Sequence, residues 1–512
     1  MEHRRSRTPV VIGLDVGTSA VKGLLAAEDH VIGRVRRGYP LDVGPDGRVE
    51  LDAELVWRAV VSAIGRLAAI ARDDDREVVS ICCGGSGDEA VWVDRFGRPV
   101  APVPMSLDRR AVVARDGVGG IVSDDLFMRR TGLPADGAYP LTRLGWLRLA
   151  RPEVASRVRH LWAWPEFVAA RLGVPPVAEP TLAARSGAFD IVRAQWDAEL
   201  LARAEVGADV FPPIAPTGSV VGTVPGAVAA RLGFGASVTV VAGGFDQAMA
   251  TLGANVTGPG IAHLGTGSWE AMTIAIRTPD FGLVPLGFSV GPTVGASVAW
   301  SAMGSSIGGA AMAWIGRLAG ASGTAMSRGT RRAGVLAAAA PDEPTGLVVL
   351  PDLDGSGPAL LDGASGGIVA GLRLDIDAPR LARGVLEGIA LTVADRLAVL
   401  ARIEPVSEIR VTGAGARDPR WAQLRADVTG IPVRAVSPIE AGATAAAALA
   451  LAAAVPGASV ASALDSLVRL GPIVEPRADQ HRRYEEIRAK RARLRVALGE
   501  REGDAQADAR PT

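Results

Sequence analysis

The sequence predicts an α/β protein built from two large domains. Three short apolar segments, Val10–Leu14, Val78–Cys83 and Val238–Val241, are rich in β-branched residues and typical of buried strands. Glycines and an acidic residue follow each of them, and α/β proteins build binding sites at the carboxyl ends of their strands. A chain of 512 residues is too long for one hydrophobic core, so we expect two domains.

Composition and charge narrow the class of protein. Hydrophobic residues make up 48% of the chain and charged residues 21%, which is typical of a globular protein. The formal net charge is zero, so the sequence predicts neither a nucleic-acid partner nor a membrane partner. Cys82 and Cys83 are adjacent and cannot cross-link distant segments, which favours a reducing, cytoplasmic location.

The first predicted domain covers residues 1–253. Its opening strand leads through Asp15 into a tight turn, Gly17-Thr18-Ser19, and a second apolar run, Val21–Ala26, follows that turn. Beyond it we expect a third strand, a long helix, a mainly helical region and a short helix. These lie at Val31–Tyr39, Ala53–Ala71, Leu141–Gly207 and Ala248–Leu252.

The second predicted domain covers residues 254–490 and begins after a turn-rich boundary at Ala254–Gly260. Its predicted strands are Trp269–Ile276, Leu347–Leu350 and Ile409–Thr412. One predicted helix ends near Leu318, and the others are Leu381–Ile403, Pro419–Thr429 and Gly442–Ala454. Residues 491–512 form a charged tail that we expect to be disordered at its end, after Gly499.

The second domain begins with a short sequence repeat of the first. Gly265-Thr266 repeats Gly17-Thr18, and superposing the two pairs places His263 at the position of Asp15. The two halves are therefore predicted to be a duplicated unit in which only the first half keeps the carboxylate.

The turn after Asp15 has the composition of a phosphate site. A carboxylate beside glycines and hydroxyl groups suits a phosphate that carries a metal ion, because backbone N–H groups and hydroxyls can face the anion. On these residues alone, an ordinary hairpin with an aspartate in its turn is an equally open alternative.

Together the motifs resemble those of the FGGY family of carbohydrate kinases, members of the actin-like ATPase superfamily. The matches run in the family's order across residues 10–490. They are Asp15-x-Gly17-Thr18, Gly244-Phe245-Asp246-Gln247, Leu264-Gly265-Thr266-Gly267, Gly355-Ser356-Gly357-Pro358, Arg383-Gly384-Val385-Leu386-Glu387-Gly388 and Gly413-Ala414-Gly415-Ala416-Arg417 with Trp421, Gln423, Ala426 and Asp427. The resemblance implies two actin-like (ribonuclease H-like) domains, a catalytic cleft between them, and ATP and Mg²⁺ as cofactors.

The resemblance also implies roles for two aspartates. Asp246, which follows a buried strand and precedes a helix, takes the position of the family's catalytic base; N-capping of that helix is the alternative. Asp15 would hold Mg²⁺, which keeps most of its water ligands in proteins.

The remaining nucleotide contacts are predicted in glycine-rich loops. In the first domain Gly17, Thr18, Ser19 and Lys22 would line the phosphates, although Lys22 could equally be a solvent-exposed strand residue. In the second domain the predicted contacts are Gly265, Thr266 and Gly267 for the phosphates, and Gly308, Gly309, Gly413, Ala414 and Gly415 for the base and ribose. Glycine lets backbone approach a flat ligand closely, but it also simply permits turns.

The resemblance places the sugar pocket in the first domain. The predicted substrate contacts are Asp88, Asp108, Arg110, Asp246 and Gln247. Carboxylate and guanidinium groups suit vicinal hydroxyls because each forms paired hydrogen bonds. A surface charge cluster is the alternative for Asp108 and Arg110.

Several positions depart from the family's pattern. Ser106-Leu107 replaces a tryptophan, Ser86 and Glu89 replace a glutamine and a glycine, and Asp418 replaces a serine or asparagine. The catalytic residues are thus intact while the sugar pocket is altered.

The predicted function is transfer of the γ-phosphate of ATP to a hydroxyl of a small-molecule sugar or polyol. The Gly87-Asp88 step favours a pentulose, tetritol or pentitol, whereas the Asp246-Gln247 pair suggests a glycerol kinase-like alternative. Two further alternatives are a catalytically idle sugar sensor and a nucleotide clamp of the chaperone or actin type. Such clamps lack both the base followed by glutamine and the helix after Gly413. A homodimer is left open.

Overall fold

The computed structural model describes residues 7–106, 108, 110, 125–135, 139–235, 237–295, 297–321, 326–353 and 366–498. The predicted motif Gly355–Pro358, residue Leu107 and the tail after Gly499 lie outside these residues. The chain divides into two compact units. Unit 1 comprises Met1–Thr257, Pro279–Ser301 and Glu440–Arg469, and unit 2 comprises Gly258–Thr278, Ala302–Ile439 and Leu470–Thr512.

The strands of the described residues are numbered in chain order. They are β1 Thr8–Val16, β2 Ala20–Ala26, β3 Val31–Gly38, β4 Asp42–Val43, β5 Val49–Leu51, β6 Arg76–Gly85, β7 Val91–Val93, β8 Val103–Pro104, β9 His160–Trp162, β10 Phe189–Asp190, β11 Gln195–Trp196, β12 Val220–Thr223, β13 Thr239–Phe245, β14 Ile261–Thr266, β15 Trp269–Ile276, β16 Phe288–Pro292, β17 Trp300–Ile307, β18 Val348–Leu350, β19 Ile368–Ala370, β20 Glu408–Gly413, β21 Val433–Ser437 and β22 Arg469–Leu470.

The helices follow the same convention. They are α1 Ala53–Asp73, α2 Asp125–Thr131, α3 Pro140–Ala150, α4 Pro152–Ala155, α5 Trp164–Arg171, α6 Pro180–Ala183, α7 Ala198–Arg203, α8 Gly226–Leu232, α9 Asp246–Gly253, α10 Gly309–Leu318, α11 Met326–Ala339, α12 Ala378–Leu400, α13 Pro419–Thr429, α14 Ala441–Ala454, α15 Val460–Leu467 and α16 Ala478–Ala497. Short 3-10 turns lie at Ala208–Val210, Phe281–Leu286 and Ala414–Arg417.

Unit 1 is organised around a sheet with the strand order β12-β13-β6-β1-β2-β3. Strand β1 is antiparallel to β2 and parallel to β6, and β6 is parallel to β13. Helix α1 packs on β2 and β3, whereas the alanine-rich α14 packs on β1 and β6. The near-continuous burial of β1 explains its apolar sequence, because both of its neighbours and its packing helix exclude water.

Unit 2 repeats this strand order. Its sheet contains the succession β17-β15-β14-β20-β21, which corresponds to β3-β2-β1-β6-β13 of unit 1. Strand β14 is antiparallel to β15 and parallel to β20, as β1 is to β2 and β6. The shared order supports the internal duplication that the sequence predicts.

The region from Leu141 to Gly207 is less helical than predicted. Besides short helices it contains β9, β10 and β11, and β9 pairs with β7. Prolines at the starts of α3, α4, α5 and α6 divide it into short elements, because proline is accepted at a first helical turn and not inside a helix. Its aromatic residues pack against one another, and Trp196 stacks on Phe211 with 4.5 Å between ring centroids.

Helix α16 extends into the predicted charged tail, as far as Ala497. Although many of its residues are charged, three residues of this helix are buried: Tyr484, Ile487 and Arg491. Tyr484 packs in the apolar core of unit 2. Among the helices that the structure describes, none combines the length and apolarity that crossing a bilayer requires.

Candidate active site

Asp15 is a buried carboxylate with one oxygen left unpaired. It lies at the carboxyl end of β1, directly across the ladder from Lys22 of β2. Lys22 Nζ donates a hydrogen bond to Asp15 Oδ2 at 2.9 Å, and the negative charge of Asp15 raises the pKa of Lys22. Asp15 Oδ1 is buried and has no hydrogen-bond partner among the described residues. Lys22 therefore lies beside Asp15, with its side chain 41% exposed.

Asp246 is the first residue of α9 and also carries a buried oxygen, Oδ1, that lacks a partner in the described part of the chain. Burial is the largest cause that raises the pKa of Asp246, the charges of Asp15, Asp88 and Glu89 raise it as well, and the resulting pKa is about 8. Lys22 acts in the opposite direction. These acidic side chains are thus close enough to influence one another, and Gln247 follows Asp246 at a partly exposed position.

Asp88 forms an ion pair that no sequence motif indicates. Arg185 Nε donates to Asp88 Oδ1 at 2.6 Å, and another nitrogen of Arg185 donates to Ser289 Oγ at 3.0 Å. The guanidinium carbon also lies 5.1 Å from the ring centroid of Phe245, the residue before the candidate base. Arg185 therefore links Asp88 to the Asp246 turn, although it follows Asp88 in the sequence by 97 residues.

Asp108 and Arg110 form a largely buried pair. Asp108 is 1% exposed and accepts hydrogen bonds from Val49 N at 3.1 Å and from Arg110 Nε at 3.0 Å. Arg110 also donates to Glu50 at 2.6 Å, and its guanidinium lies 5.0 Å from the ring centroid of Trp146. The surface-cluster alternative is therefore wrong for Asp108, because this pair is braced against β5 and α3.

Three of the positions that depart from the family's pattern contact one another. Ser86 Oγ donates to Glu89 Oε2, and Ser106 N donates to Glu89 Oε1 at 2.8 Å. Glu89 is fully buried, and burial raises the pKa of its carboxyl group. These three departures thus form a cluster beside Asp88, whereas Asp418 lies in unit 2.

The predicted phosphate turn of unit 1 is held from one side. The Tyr39 hydroxyl donates to the Gly17 carbonyl, and Tyr39 N donates to the Ser19 carbonyl at 3.2 Å. Thr18 is partly exposed and Ser19 is exposed, so their side chains are open to a ligand. No sequence signal indicates this contact of Tyr39, because Tyr39 lies 22 residues from Gly17 along the chain.

In unit 2 the predicted glycine loops converge. Thr266 Oγ1 donates to the Thr412 carbonyl and accepts a hydrogen bond from Gly415 N at 2.9 Å. Gly413 has φ +81°, and a Cβ there would lie 2.2 Å from the Thr266 carbonyl oxygen, so only glycine fits. The Thr266 hydroxyl therefore fixes the loop that contains Ala414 and Gly415.

The start of α10 joins the same group of loops. Gly309 N donates to the Gly267 carbonyl at 2.9 Å, and Gly308 N donates to the Ser268 carbonyl at 3.1 Å. These bonds bring the beginning of α10 against the turn that follows Gly265.

A cavity of about 180 Å³ opens in unit 2 beside the start of α13, and Asp418, Arg420 and Trp421 line part of it. Asp418 caps α13 by accepting from Arg420 N at 3.0 Å. Asp427 is buried and accepts a hydrogen bond from Arg477 N at 2.8 Å, which is a structural role.

In unit 1, Asp15 and Asp246 each carry one buried oxygen without a partner among the described residues, and unit 2 by itself carries the cluster of glycine loops around Thr266. Residues 10–253 match the model of the N-terminal domain of the FGGY family of carbohydrate kinases, and residues 263–454 match that of its C-terminal domain. The chain belongs to this family, whose members are phosphotransferases acting on sugar or polyol hydroxyls. Membership confirms the predicted family and enzyme class.

Proteins similar to this chain over most of its length are named as kinases of different substrates. A glycerol kinase of Aromatoleum aromaticum is 29% identical over 448 residues, which cover 83% of this chain and 86% of that protein. The structure of a xylulose kinase from Rhodospirillum rubrum has a TM-score of 0.82 at 24% identity and covers 96% of this chain and 99% of its own. The structure of a gluconate kinase from Lactobacillus acidophilus has a TM-score of 0.83 at 22% identity, and the match covers 97% of this chain and 99% of that one. The two-domain FGGY kinase fold is thereby confirmed.

Proposed function

We propose that this kinase transfers the γ-phosphate of ATP to a hydroxyl group of a small sugar or polyol, with Asp246 as the general base. The observation that carries the proposal is the buried, unpaired Oδ1 of Asp246 beside Asp88. A pKa of about 8 suits a base that works near neutral pH, because it can both accept and release the proton.

The chemical step needs one proton acceptor and much charge compensation. The acceptor hydroxyl donates a hydrogen bond to Asp246 Oδ1, and its proton moves there as its oxygen attacks the γ-phosphorus. The new oxygen–phosphorus bond forms while the bond from the γ-phosphorus to the bridging oxygen of ADP breaks. ADP leaves with the bridging electrons, and Asp246 later releases the proton to water.

Asp15 is the proposed contact for Mg²⁺. Its unpaired Oδ1 fits this role, because Mg²⁺ in phosphoryl-transfer sites binds one or two carboxylates, phosphate oxygens and several waters. When bound, the ion would offset phosphate charge. Gly17, Thr18, Ser19 and Lys22 would contact the phosphates.

The predicted loops of unit 2 are proposed as further nucleotide contacts. Backbone groups of Gly265, Gly267 and the segment Gly413–Gly415 would contribute, since the Thr266 hydroxyl already holds that segment. Gly308 and Gly309 would act by closing the start of α10 onto the same turn.

The acceptor would be held by Asp88, Gln247 and Asp246. Carboxylate and amide groups so close together suit vicinal hydroxyls of a pentulose, tetritol or pentitol. Asp108 and Arg110 would brace the neighbouring wall. Glycerol is the second candidate, because a 29% identical relative is named a glycerol kinase. Against glycerol, exposed Ser106 offers no apolar surface to a carbon chain.

An ADP-release assay with MgATP tests the proposal. The panel contains glycerol, tetritols, pentitols, pentuloses and gluconate, and we expect one or a few of them to stimulate turnover. ATP binding is measured in parallel by calorimetry. Should ATP bind while no acceptor stimulates ADP release, the protein is a sensor and the proposed function is wrong.

A further inference from the structure

The turn that presents Asp246 has little support from its own secondary structure. Phe245 occupies the N-cap position of α9, and its side chain makes no capping hydrogen bond. The ladder between β13 and β6 also changes register between Ala242 and Phe245. Apart from the pairing of Phe245 with Gly85, this backbone is open to support from outside the strand and the helix.

Thr181 provides such support. Its Oγ1 accepts a hydrogen bond from Phe245 N at 2.9 Å, one residue before Asp246. The same hydroxyl donates its proton to Glu179 Oε2. Because a hydroxyl has a single proton, donation to Glu179 leaves its lone pairs directed at the Phe245 amide.

Glu179 is itself fixed by several donors. The residue is 1% exposed, and its carboxylate accepts from Thr181 N at 2.8 Å and from Leu182 N at 3.3 Å. Thr217 Oγ1 donates to the other carboxylate oxygen. Glu179 therefore sets the orientation of the Thr181 hydroxyl.

Gly244 allows this close approach. A Cβ at residue 244 would lie 2.7 Å from Thr181 Oγ1 and 3.0 Å from Glu179 Oε2. Any side chain at residue 244 would push the turn away from Thr181 and Glu179. The hydrogen bond from Phe245 to Thr181 therefore depends on this glycine.

We propose that Glu179 and Thr181 are positioning residues that hold the Asp246 turn in the geometry for proton transfer. The inference rests on the proposed role of Asp246 as the base. Neither residue contacts the reacting atoms, and loss of the bond to Phe245 would let the turn move. A misplacement of about 1 Å at a reacting group costs on the order of 10²-fold in rate.

The first test compares Thr181→Val with Thr181→Ser and with the matched control Thr131→Val. Thr131 is also a buried threonine whose hydroxyl accepts from a backbone amide, that of Leu133, but it lies in α2. We expect Thr181→Val to lower kcat by about 10- to 100-fold with the KM for ATP and acceptor nearly unchanged. Thr181→Ser should restore kcat to within about threefold. Equal kcat values in Thr181→Val and Thr131→Val would overturn the proposal.

The second test asks whether Thr181 acts through Asp246. In an Asp246→Asn background, Thr181→Val should cause little further loss, because the group it positions is already gone. A full additional loss would contradict the positioning role. Wild-type turnover in Asp246→Asn alone would instead contradict the base assignment, so the two proposals fail separately.

Hydrogen exchange provides a readout that needs no acceptor. The amide of Phe245 should exchange faster in Thr181→Val than in the wild type, and Thr131→Val should leave its protection unchanged. Unchanged protection of Phe245 in Thr181→Val would show that the bond does not hold the turn.

Discussion

The two units share a strand order but differ in what their central strands carry. Strand β1 presents Asp15 with an unpaired oxygen beside Lys22, whereas β14 carries His263, which is fully buried. His263 Nε2 lies 2.8 Å from Thr412 Oγ1, and burial lowers the pKa of His263 to about 3. The histidine is therefore neutral near pH 7. The two sheets thus share a strand order, but only the central strand of unit 1 carries a charged side chain at this position.

The two hairpins also close differently. The last ladder pair is Val16–Val21 in unit 1 and Thr266–Glu270 in unit 2, so their turns differ in length. Asp15 is the penultimate residue of β1, while His263 lies three positions before the end of β14. Matching Gly17-Thr18 to Gly265-Thr266 in the sequence therefore aligns residue types without aligning strand ends.

The largest expected contrast is between Asp15 and His263 variants. Asp15→Asn should lower kcat by about 10²- to 10³-fold, the usual loss when one preorganised electrostatic contact is removed. The Mg²⁺ concentration for half-maximal activity should rise as well. His263→Leu should keep kcat within about threefold, because its side chain packs inside unit 2. Steady-state kinetics over a series of Mg²⁺ concentrations measures kcat for both variants. Comparable losses of kcat in Asp15→Asn and His263→Leu would contradict the expected difference.

The second contrast concerns stability. His263→Leu leaves Thr412 Oγ1 without its imidazole partner, so we expect the free energy of unfolding to fall by about 1–3 kcal/mol at pH 7. Urea denaturation measures this change. Thr412→Val removes the opposite partner, and adding it to His263→Leu should cost less than the sum of the single changes. Strict additivity would mean that the pair does not interact.

The pH dependence of stability sharpens the same point. The native-state pKa of His263 lies below its unfolded value of about 6.5, so between those values the unfolded chain binds a proton that the native protein does not. Stability should therefore fall as pH drops below 6.5, by about 1.4 kcal/mol per pH unit from this residue alone. In His263→Leu the slope should be smaller by that amount. Identical slopes in urea titrations at pH 5 and 6 would contradict the assignment.

The smallest expected effect is a shift in the pH dependence of kcat/KM when a charge near Asp246 in unit 1 is removed. Asp88→Asn removes a negative charge that raises the pKa of Asp246, whereas Lys22→Met removes a positive charge that lowers it. The acidic limb of kcat/KM should therefore move to lower pH in the first variant and to higher pH in the second, each by about one unit or less. Shifts in the same direction would show that another group sets the limb.

Much of the fold could be predicted because its signals are local. The apolar strand before Asp15, the helix Pro419–Thr429 and the strand Trp269–Ile276 follow directly from periodicity, and the last two match the structure residue for residue. The sequence concealed α16, because its buried residues are spaced among many charges. It also does not indicate β9, whose pairing depends on the distant strand β7, or the hairpin of β10 and β11, whose strands are only two residues long.

The candidate site divides in the same way. Asp15 and Asp246 lie in motifs, so the sequence could indicate them. Arg185, Tyr39 and Thr181 lie in no motif that marks a role, and only folding brings each to its partner. The buried cluster around Glu89 likewise forms only on folding, which brings Ser86 and Ser106 to the same carboxylate.

Asp246→Asn most directly tests whether Asp246 takes the proton from the acceptor hydroxyl. The measurement is acceptor-stimulated ADP release under single-turnover conditions, with ATP affinity measured by calorimetry on the same sample. We predict a rate lower by about 10³-fold or more, with the Kd for ATP within about threefold of the wild-type value. A rate close to that of the wild type at unchanged ATP affinity would contradict the account.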